Sequence, residues 1–440
     1  MGGGGVGAAL PNLVVHLLAL AILAFNARAV GDFIVSGPLA LRLLVAASLL
    51  LPLLQLVPLP PAVWQALPAR DLVGESLGLI GSQGEWRPLS VFPARTLLAA
   101  IGLVAPFAVL VLGARLDDRG RNMVLTTIAG MGLLNLAIGA IQLVSGNQIA
   151  HFHGGTIAAS QLYGTFANHN TAGIFFVVAM FATLGLRSGE DVGSHFELLR
   201  WTCAGLFALC VVLTQSRSSL LVLVLVGLVI GIVAGFRRLR AARTAPRRER
   251  RSRHRGWWRR RSTVAGAIAA ACVVLGIAAF VASSGKVAQT AERFSFIEDD
   301  VRPRIWSDAL TSIDRFWPVG SGVGTFDEVF QLDESLENLE PGRAGRAHNE
   351  FLEVPLEAGL IGAILIAGWA IWLGILGIRV VREDNGMAGA AVAAALSAIA
   401  LQCFVDYPLR SQAGLCLAAV LIALLARQVA SAKTWERAAE

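Results

Sequence analysis

Long apolar runs alternate with short polar breaks along almost the whole chain. The runs are about 20 residues long, enough for a helix to cross the roughly 30 Å hydrocarbon core of a bilayer. Eleven spans are predicted, at 11–27, 37–57, 95–114, 123–144, 170–186, 199–215, 219–236, 263–283, 359–379, 387–405 and 413–430. The short alternating segments of a β-barrel are absent. The predicted fold is therefore all-α, a polytopic transmembrane helical bundle of about 11–12 spans in which residues 1–440 form one integral membrane domain.

The polar breaks are unequal. Four basic clusters, Arg115–Arg121, Arg187–Arg200, Arg379–Arg382 and the tail with Arg427, Lys433 and Arg437, fall on the same side as the Arg-rich block 237–261 when spans are counted outward from it. By the positive-inside rule that side is cytoplasmic. The count puts the neutral N-terminal tail outside, and a missed or re-entrant segment near 29–40 would reverse it. The opposite, external side receives 58–94, 145–169, the tight turn 216–218, 284–358 and the short piece 406–412. The segment 284–358, between spans 8 and 9, is too long for a mere connector.

Composition sharpens this picture. The chain is 55% hydrophobic and 15% charged, against about 25% charged in soluble domains. Its net charge of +7 comes from thirteen arginines between Arg237 and Arg261, without which the remainder is mildly acidic. That block directly follows an apolar span, so it reads as a cytoplasmic loop facing anionic membrane lipid and not as a nucleic-acid surface. Cys203, Cys210, Cys272, Cys403 and Cys416 all lie in apolar runs without a CxxC pair, and read as small buried hydrophobes. The Gly-rich start lacks the basic n-region of a cleavable signal peptide.

Candidate chemistry gathers on the external side. His348 and Asn349 end the polar segment 284–358, and Gly359 and Gly362 open the next span. A titratable imidazole thus sits where a membrane helix meets water, a place suited to a substrate that is half lipid and half polar. Arg217, in Gln215-Ser-Arg-Ser-Ser219, is held between two spans with almost no loop, where an arginine needs a partner. Arg302 and Arg304 flank Pro303, which marks a helix start, with Trp306 and Leu310 facing the membrane or core. A planar guanidinium suits phosphate, so these arginines fit either a diphosphate site or an ordinary charged surface.

Other features weigh less. Gly320, Gly322 and Gly324 permit a tight turn or close backbone approach, but no strand precedes them and no nucleotide fingerprint is present. Asn168 or Asn170 caps the span that follows, and His169 is either a neighbour of the site or a loop residue. The pair His151 and His153 lacks Cys or acidic partners at ligand spacing, so no metal is expected. The segment 58–94, with Pro58-Leu-Pro-Pro61 and the interface-suited Trp64 and Trp86, reads as a lid along the membrane surface with no chemistry of its own. A flippase or other transporter would spread polar groups through the spans, which are instead nearly free of charge.

The ordered set resembles the O-antigen ligase and polymerase superfamily. It comprises Pro58-Leu-Pro-Pro61, Gly164-Thr-Phe-Ala-Asn-His-Asn170, Ser216-Arg-Ser218, Arg302 four residues before Trp306, His348-Asn349 with Gly359 and Gly362, and Asp406-Tyr-Pro-Leu409. The turn Pro318–Phe326 matches the corresponding family element only loosely. The resemblance implies a GT-C-type membrane glycosyltransferase of the bacterial inner membrane, active at the periplasmic face in lipopolysaccharide or surface-polysaccharide biosynthesis. It implies a glycan donor carried on undecaprenyl diphosphate, a lipid A-core or glycan acceptor, and no cofactor or required metal. By the same resemblance Arg217 and Arg302 bind the diphosphate and His348 activates the acceptor, with Arg304, Asn349, His169, Asn170 and Gly359 lining the site. The chemistry agrees. A departing diphosphate needs fixed cations, an imidazole can take the hydroxyl proton near neutral pH, and attack opposite the leaving group inverts the anomeric centre. Asn349, next in sequence, is expected to orient His348.

Overall fold

A computed structural model describes residues 9–150, 152–153, 158–186, 194–244, 301–338, 344–382 and 386–439. The expected span 263–283, His151 and most of the Arg-rich block lie outside the described residues. Among those described, the protein is helical apart from a two-residue antiparallel pair, β1 (Pro58–Leu59) with β2 (Arg87–Pro88). The all-α reading holds.

The chain begins with α1 (Ala9–Phe25) and α2 (Ala27–Ser36), bent by 76° at their junction. His16 near the middle of α1 bonds Gln412, and Asp32 on α2 pairs with Arg115. The segment near 29–40 therefore holds a separate helix, and the bent pair is either a broken span or a re-entrant loop. α3 (Leu39–Leu54) returns, followed by α4 (Pro61–Trp64) and α5 (Asp71–Leu79) in the segment 58–94. Then α6 (Pro93–Gly102) runs into α7 (Val104–Gly113), and α8 (Asp118–Val144), α9 (His169–Gly185), α10 (Ser194–Leu213) and α11 (Arg217–Thr244) follow. After the undescribed stretch come α12 (Arg302–Phe316), α13 (Phe326–Phe330), α14 (Glu350–Arg382), α15 (Gly386–Gln402) and α16 (Gln412–Ala439).

Among the described residues, length and composition qualify four helices to cross a membrane, Pro93–Gly113, Asp118–Val144, His195–Leu213 and Glu350–Arg382, or five with the bent α1–α2 pair. Leu39–Leu54, His169–Gly185, Arg217–Val233, Met387–Gln402 and Gln412–Gln428 are apolar but shorter than the roughly 20 residues counted from sequence. α9 matches the predicted run 170–186 to within a residue and is buried over most of its length between α8, α10, α11 and α15. Its small and apolar residues face protein instead of lipid. Ala179, Phe176 and Val177 are fully buried, and Phe207 of α10 packs over Gly132 of α8.

The two ends differ in chemistry. Arg427 of α16 donates to Ala114 O, Arg121 pairs with Asp118 at the start of α8, and Arg200 donates to Leu186 O, so these arginines sit where α7 turns into α8 and α9 into α10. The opposite end carries a small aromatic core of its own, with Phe316, Phe326, Phe330, Ala347 and Leu356 buried together and the Phe326 and Phe330 rings stacked at 5.0 Å. Here the segment 58–94 docks. Its Trp64 was expected at an interface, but it is buried, its indole donating to Glu85 O, because the β1–β2 pair folds the segment back over it. Trp86 does remain exposed.

One break organises this end. α14 is interrupted at Gly359, whose backbone lies at φ 57°, ψ −144°. The Gly-rich turn after α12 supplies partners to the opened helix. Ser321 N–H donates to Leu356 O at 3.0 Å, Gly322 N–H to Glu357 O at 2.8 Å, and Leu360 N–H to Pro318 O at 2.9 Å. A Cβ on Gly320 would stand 2.6 Å from Glu357 O, and one on Gly359 2.0 Å from Pro318 O. Glycine at both positions lets two backbones meet directly. Gln55 at the end of α3 joins the same junction, donating to Glu357 O and accepting from Val323 N–H.

Candidate active site

His348 sits between the aromatic core and the start of α14. Its backbone is left-handed (φ 50°), uncommon for a residue with a side chain. Its Nδ1 lies 3.3 Å from Asp406 Oδ1, and its ring meets that of Tyr407 edge-on at 4.8 Å. Asp406 is buried, while the imidazole stays partly open. Asn349 does not orient the histidine, contrary to expectation. Its Oδ1 accepts the Phe351 N–H at 2.9 Å, so it caps the first turn of α14, and the orienting contact comes from Asp406, two helices further along the chain. Asp406 stands in the Asp406–Leu409 motif, but adjacency in sequence favoured Asn349 and gave no hint of this pairing.

The turn before His348 is held from both sides. Trp306 Nε1 donates to Ala347 O at 2.9 Å, and Glu353 Oε2 accepts the Ala347 N–H at 3.2 Å. Arg302 precedes Trp306 by one helical turn on the same face of α12 and is half-buried. Arg304, two residues on, projects elsewhere and is exposed.

Arg217 opens α11 in a pocket of hydroxyls. Ser216 Oγ donates to Asn170 Oδ1 at 2.8 Å and lies 2.9 Å from Ser219 Oγ, and Gln402 Nε2 donates to Ser218 Oγ at 2.8 Å. Asn168 caps α9 through its contact with Asn170 N–H, and its amide reaches Tyr407 Oη at 3.4 Å. Asp406 N–H in turn donates to Gln402 O at 2.8 Å. The arginine-bearing turn, the cap of α9 and the His348–Asp406 pair are thus one connected polar patch. His169, on the first turn of α9, turns its ring toward Tyr163 at 6.0 Å. Gly359 lies in the backbone junction already described, against Pro318. Burial, followed by the Asp406 carboxylate, pushes the Tyr407 phenol above its ordinary pKa, which keeps it neutral.

A second set of charged residues lies behind His348. Glu350, Glu353 and Glu357 share one face of α14 and are buried. Arg410 reaches all three, Nε to Glu350 Oε2 at 3.1 Å, Nε to Glu353 Oε1 at 3.4 Å and Nη1 to Glu357 Oε2 at 2.8 Å. Arg346 pairs with Glu353 Oε1 at 2.7 Å. Burial alone would lower the Arg410 pKa, but the three carboxylates outweigh it and hold it well above its ordinary value. These residues were missed in the sequence. The signal was present, since three glutamates at helical spacing just outside an apolar span require buried cations.

The segment 58–94 also contributes a cation. Arg70 is buried, donates to Leu89 O, and lies over the Phe316 ring at 5.7 Å. Burial brings its pKa down to about 10, so it remains charged near neutral pH. Below the patch, an apolar cavity of about 460 Å³ opens between α8, α9 and α16, and its lining includes Thr165, Phe166 and Pro408 beside the site.

Fold and patch together define a helical membrane protein that presents a histidine–carboxylate pair and arginines at one end of its bundle. Residues 202–367, less than half of the chain, match the family model described as O-antigen ligase, and this segment supports placing the protein in the O-antigen ligase and polymerase superfamily. It contains Arg217, Arg302 and His348, whereas Asp406 and Arg410 lie beyond it. No curated protein matches the chain.

Proposed function

We propose that the protein transfers a glycan from undecaprenyl diphosphate to an acceptor hydroxyl at the periplasmic face of the inner membrane. The observation that carries this reading is the approach of Asp406 Oδ1 to His348 Nδ1 in a partly open site. A carboxylate at Nδ1 fixes the tautomer with the proton on that nitrogen, which leaves Nε2 as the base. Nε2 takes the acceptor proton as the hydroxyl oxygen attacks the anomeric carbon. The bond from that carbon to the diphosphate breaks on the opposite face, so configuration inverts. Arg217 and Arg302, with Arg304 at the rim, carry the negative charge that develops on the departing diphosphate. The apolar cavity ending at Thr165 and Pro408 suits the donor's prenyl chain. His169, Asn170 and Asn349 shape the walls, and Gly359 acts through the backbone junction. The reaction needs no metal in this scheme, so activity survives chelator.

Acceptance by lipid A-core makes the enzyme a ligase, and acceptance by another lipid-linked repeat makes it a polymerase. The test is surface-glycan analysis of a deletion strain complemented with wild type or His348→Ala. Polymer left on its lipid carrier with bare lipid A-core identifies a ligase, and single repeats on a normal acceptor identify a polymerase. Wild-type glycan restored by His348→Ala removes the histidine from the mechanism.

A further inference from the structure

The His348–Asp406 pair bridges two chain segments separated by two long helices, and neither segment holds the pair by itself. His348 lies on a left-handed turn that glycine would favour, so something must fix it there. The contacts that do so converge on one side chain. Arg410 stands four residues after Asp406 and grips three glutamates within nine residues of His348. Glu353, in the middle, uses Oε1 for Arg410 and Arg346 and Oε2 for the Ala347 N–H next to the histidine. Glu350 closes the loop from the other direction, as its N–H donates to Cys403 O at 2.9 Å and its Oε1 accepts the Leu409 N–H at 3.2 Å.

We infer that Arg410 and Glu353 are positioning residues, which set the distance between the His348 base and its Asp406 partner by locking the start of α14 to the turn that carries Asp406. The inference rests on His348 being the base. Two features separate this role from general stability. The guanidinium fork meets three carboxylates in different directions, a geometry that the single ammonium of lysine cannot reproduce. In addition, the chain of contacts ends on the backbone N–H beside the catalytic side chain and not on a distant core.

The test uses the full-length protein purified in detergent, with a synthetic undecaprenyl-diphosphate-linked repeat as donor. Arg410→Lys keeps the charge and loses the fork. Its kcat falls about 10- to 100-fold with KM for the donor close to wild type, because a misplaced base costs the chemical step and not binding. The amount of folded protein stays the same. Glu353→Gln, which still offers an oxygen to Ala347 N–H, shows a smaller loss, and Glu353→Leu a larger one. A second readout does not depend on catalysis: diethylpyrocarbonate modifies His348 several-fold faster in Arg410→Lys, while His153 reacts at its wild-type rate. Unchanged kcat and unchanged His348 labelling in Arg410→Lys overturn the inference. So does a loss of kcat that merely tracks loss of folded protein. Should Arg410→Lys not fold, the two Glu353 variants carry the same comparison. Faster labelling with activity retained in His348→Ala would uphold the positioning and overturn the functional reading beneath it.

Discussion

At the scale of single residues, the candidate site is a set of short contacts between distant positions. Arg217→Ala removes the cation that opens α11, and transfer falls by about 100-fold or more if it carries developing phosphate charge. Membrane insertion is unchanged, as measured by the yield of monodisperse protein, and full activity would remove Arg217 from the mechanism. Asp406→Asn keeps the shape of the buried side chain but presents an amide to His348 Nδ1. The imidazole then loses its fixed tautomer, and kcat falls about 100-fold or more with little change in KM. Much of this was legible in the sequence. Arg217, Arg302, Trp306, His348 and Asp406 stand in short motifs whose order is specific. Which carboxylate faces His348 was not legible, because the pairing depends on how α14 and α15 return to the same end.

Elements explain why the site holds its shape. α14 is broken where a sequence reading sees only a glycine beginning a span, and the Gly-rich turn completes the break. Gly359→Ala forces a Cβ into Pro318 O and a left-handed backbone on alanine, so it destabilises the protein by more than about 2 kcal/mol. Thermal unfolding in detergent measures this, and a melting temperature equal to wild type would mean that the junction relaxes freely. α12 is tied to the segment that follows α13 by Asp308, which accepts from Ser335 N–H at 3.1 Å and Asn338 Nδ2 at 2.7 Å. Desolvation would raise its pKa, but the bonds from Ser335 and Asn338 together hold the carboxyl below its ordinary value. The stabilisation is therefore complete above an ordinary carboxyl pKa of about 3.9 and is lost as pH falls through the lowered folded value. Limited proteolysis near Leu336 should rise in acid for wild type, and in Asp308→Asn already at neutral pH. Equal protection of both proteins across this range would rule out the tie.

For the whole molecule, the sequence showed the helical bundle and the sorting of charge to its two ends, because both follow from hydropathy and the arginines alone. The run expected at 170–186 forms α9 at nearly the same residues, but it packs against protein, since burial among other helices and burial in lipid give the same apolar run. The sorting leads to a sidedness prediction. Glu337→Cys, at the site end, reacts with a membrane-impermeant maleimide on intact spheroplasts, whereas Arg119→Cys, at the basic end, reacts only after permeabilisation. The opposite pattern would invert the orientation and with it the periplasmic placement of the site.

The pairing of His348 with Asp406 also has a consequence for biosynthesis. A ribosome delivers the histidine first, and the remainder of α14, all of α15 and the turn after it must still be made before the aspartate emerges. A nascent chain that has threaded everything through Arg382 into the bilayer already displays Arg217, Arg302 and His348, yet no partner faces the imidazole. In the proposed mechanism a chain that ends before Asp406 lacks the carboxylate that holds the His348 tautomer, so it transfers glycan no faster than Asp406→Asn.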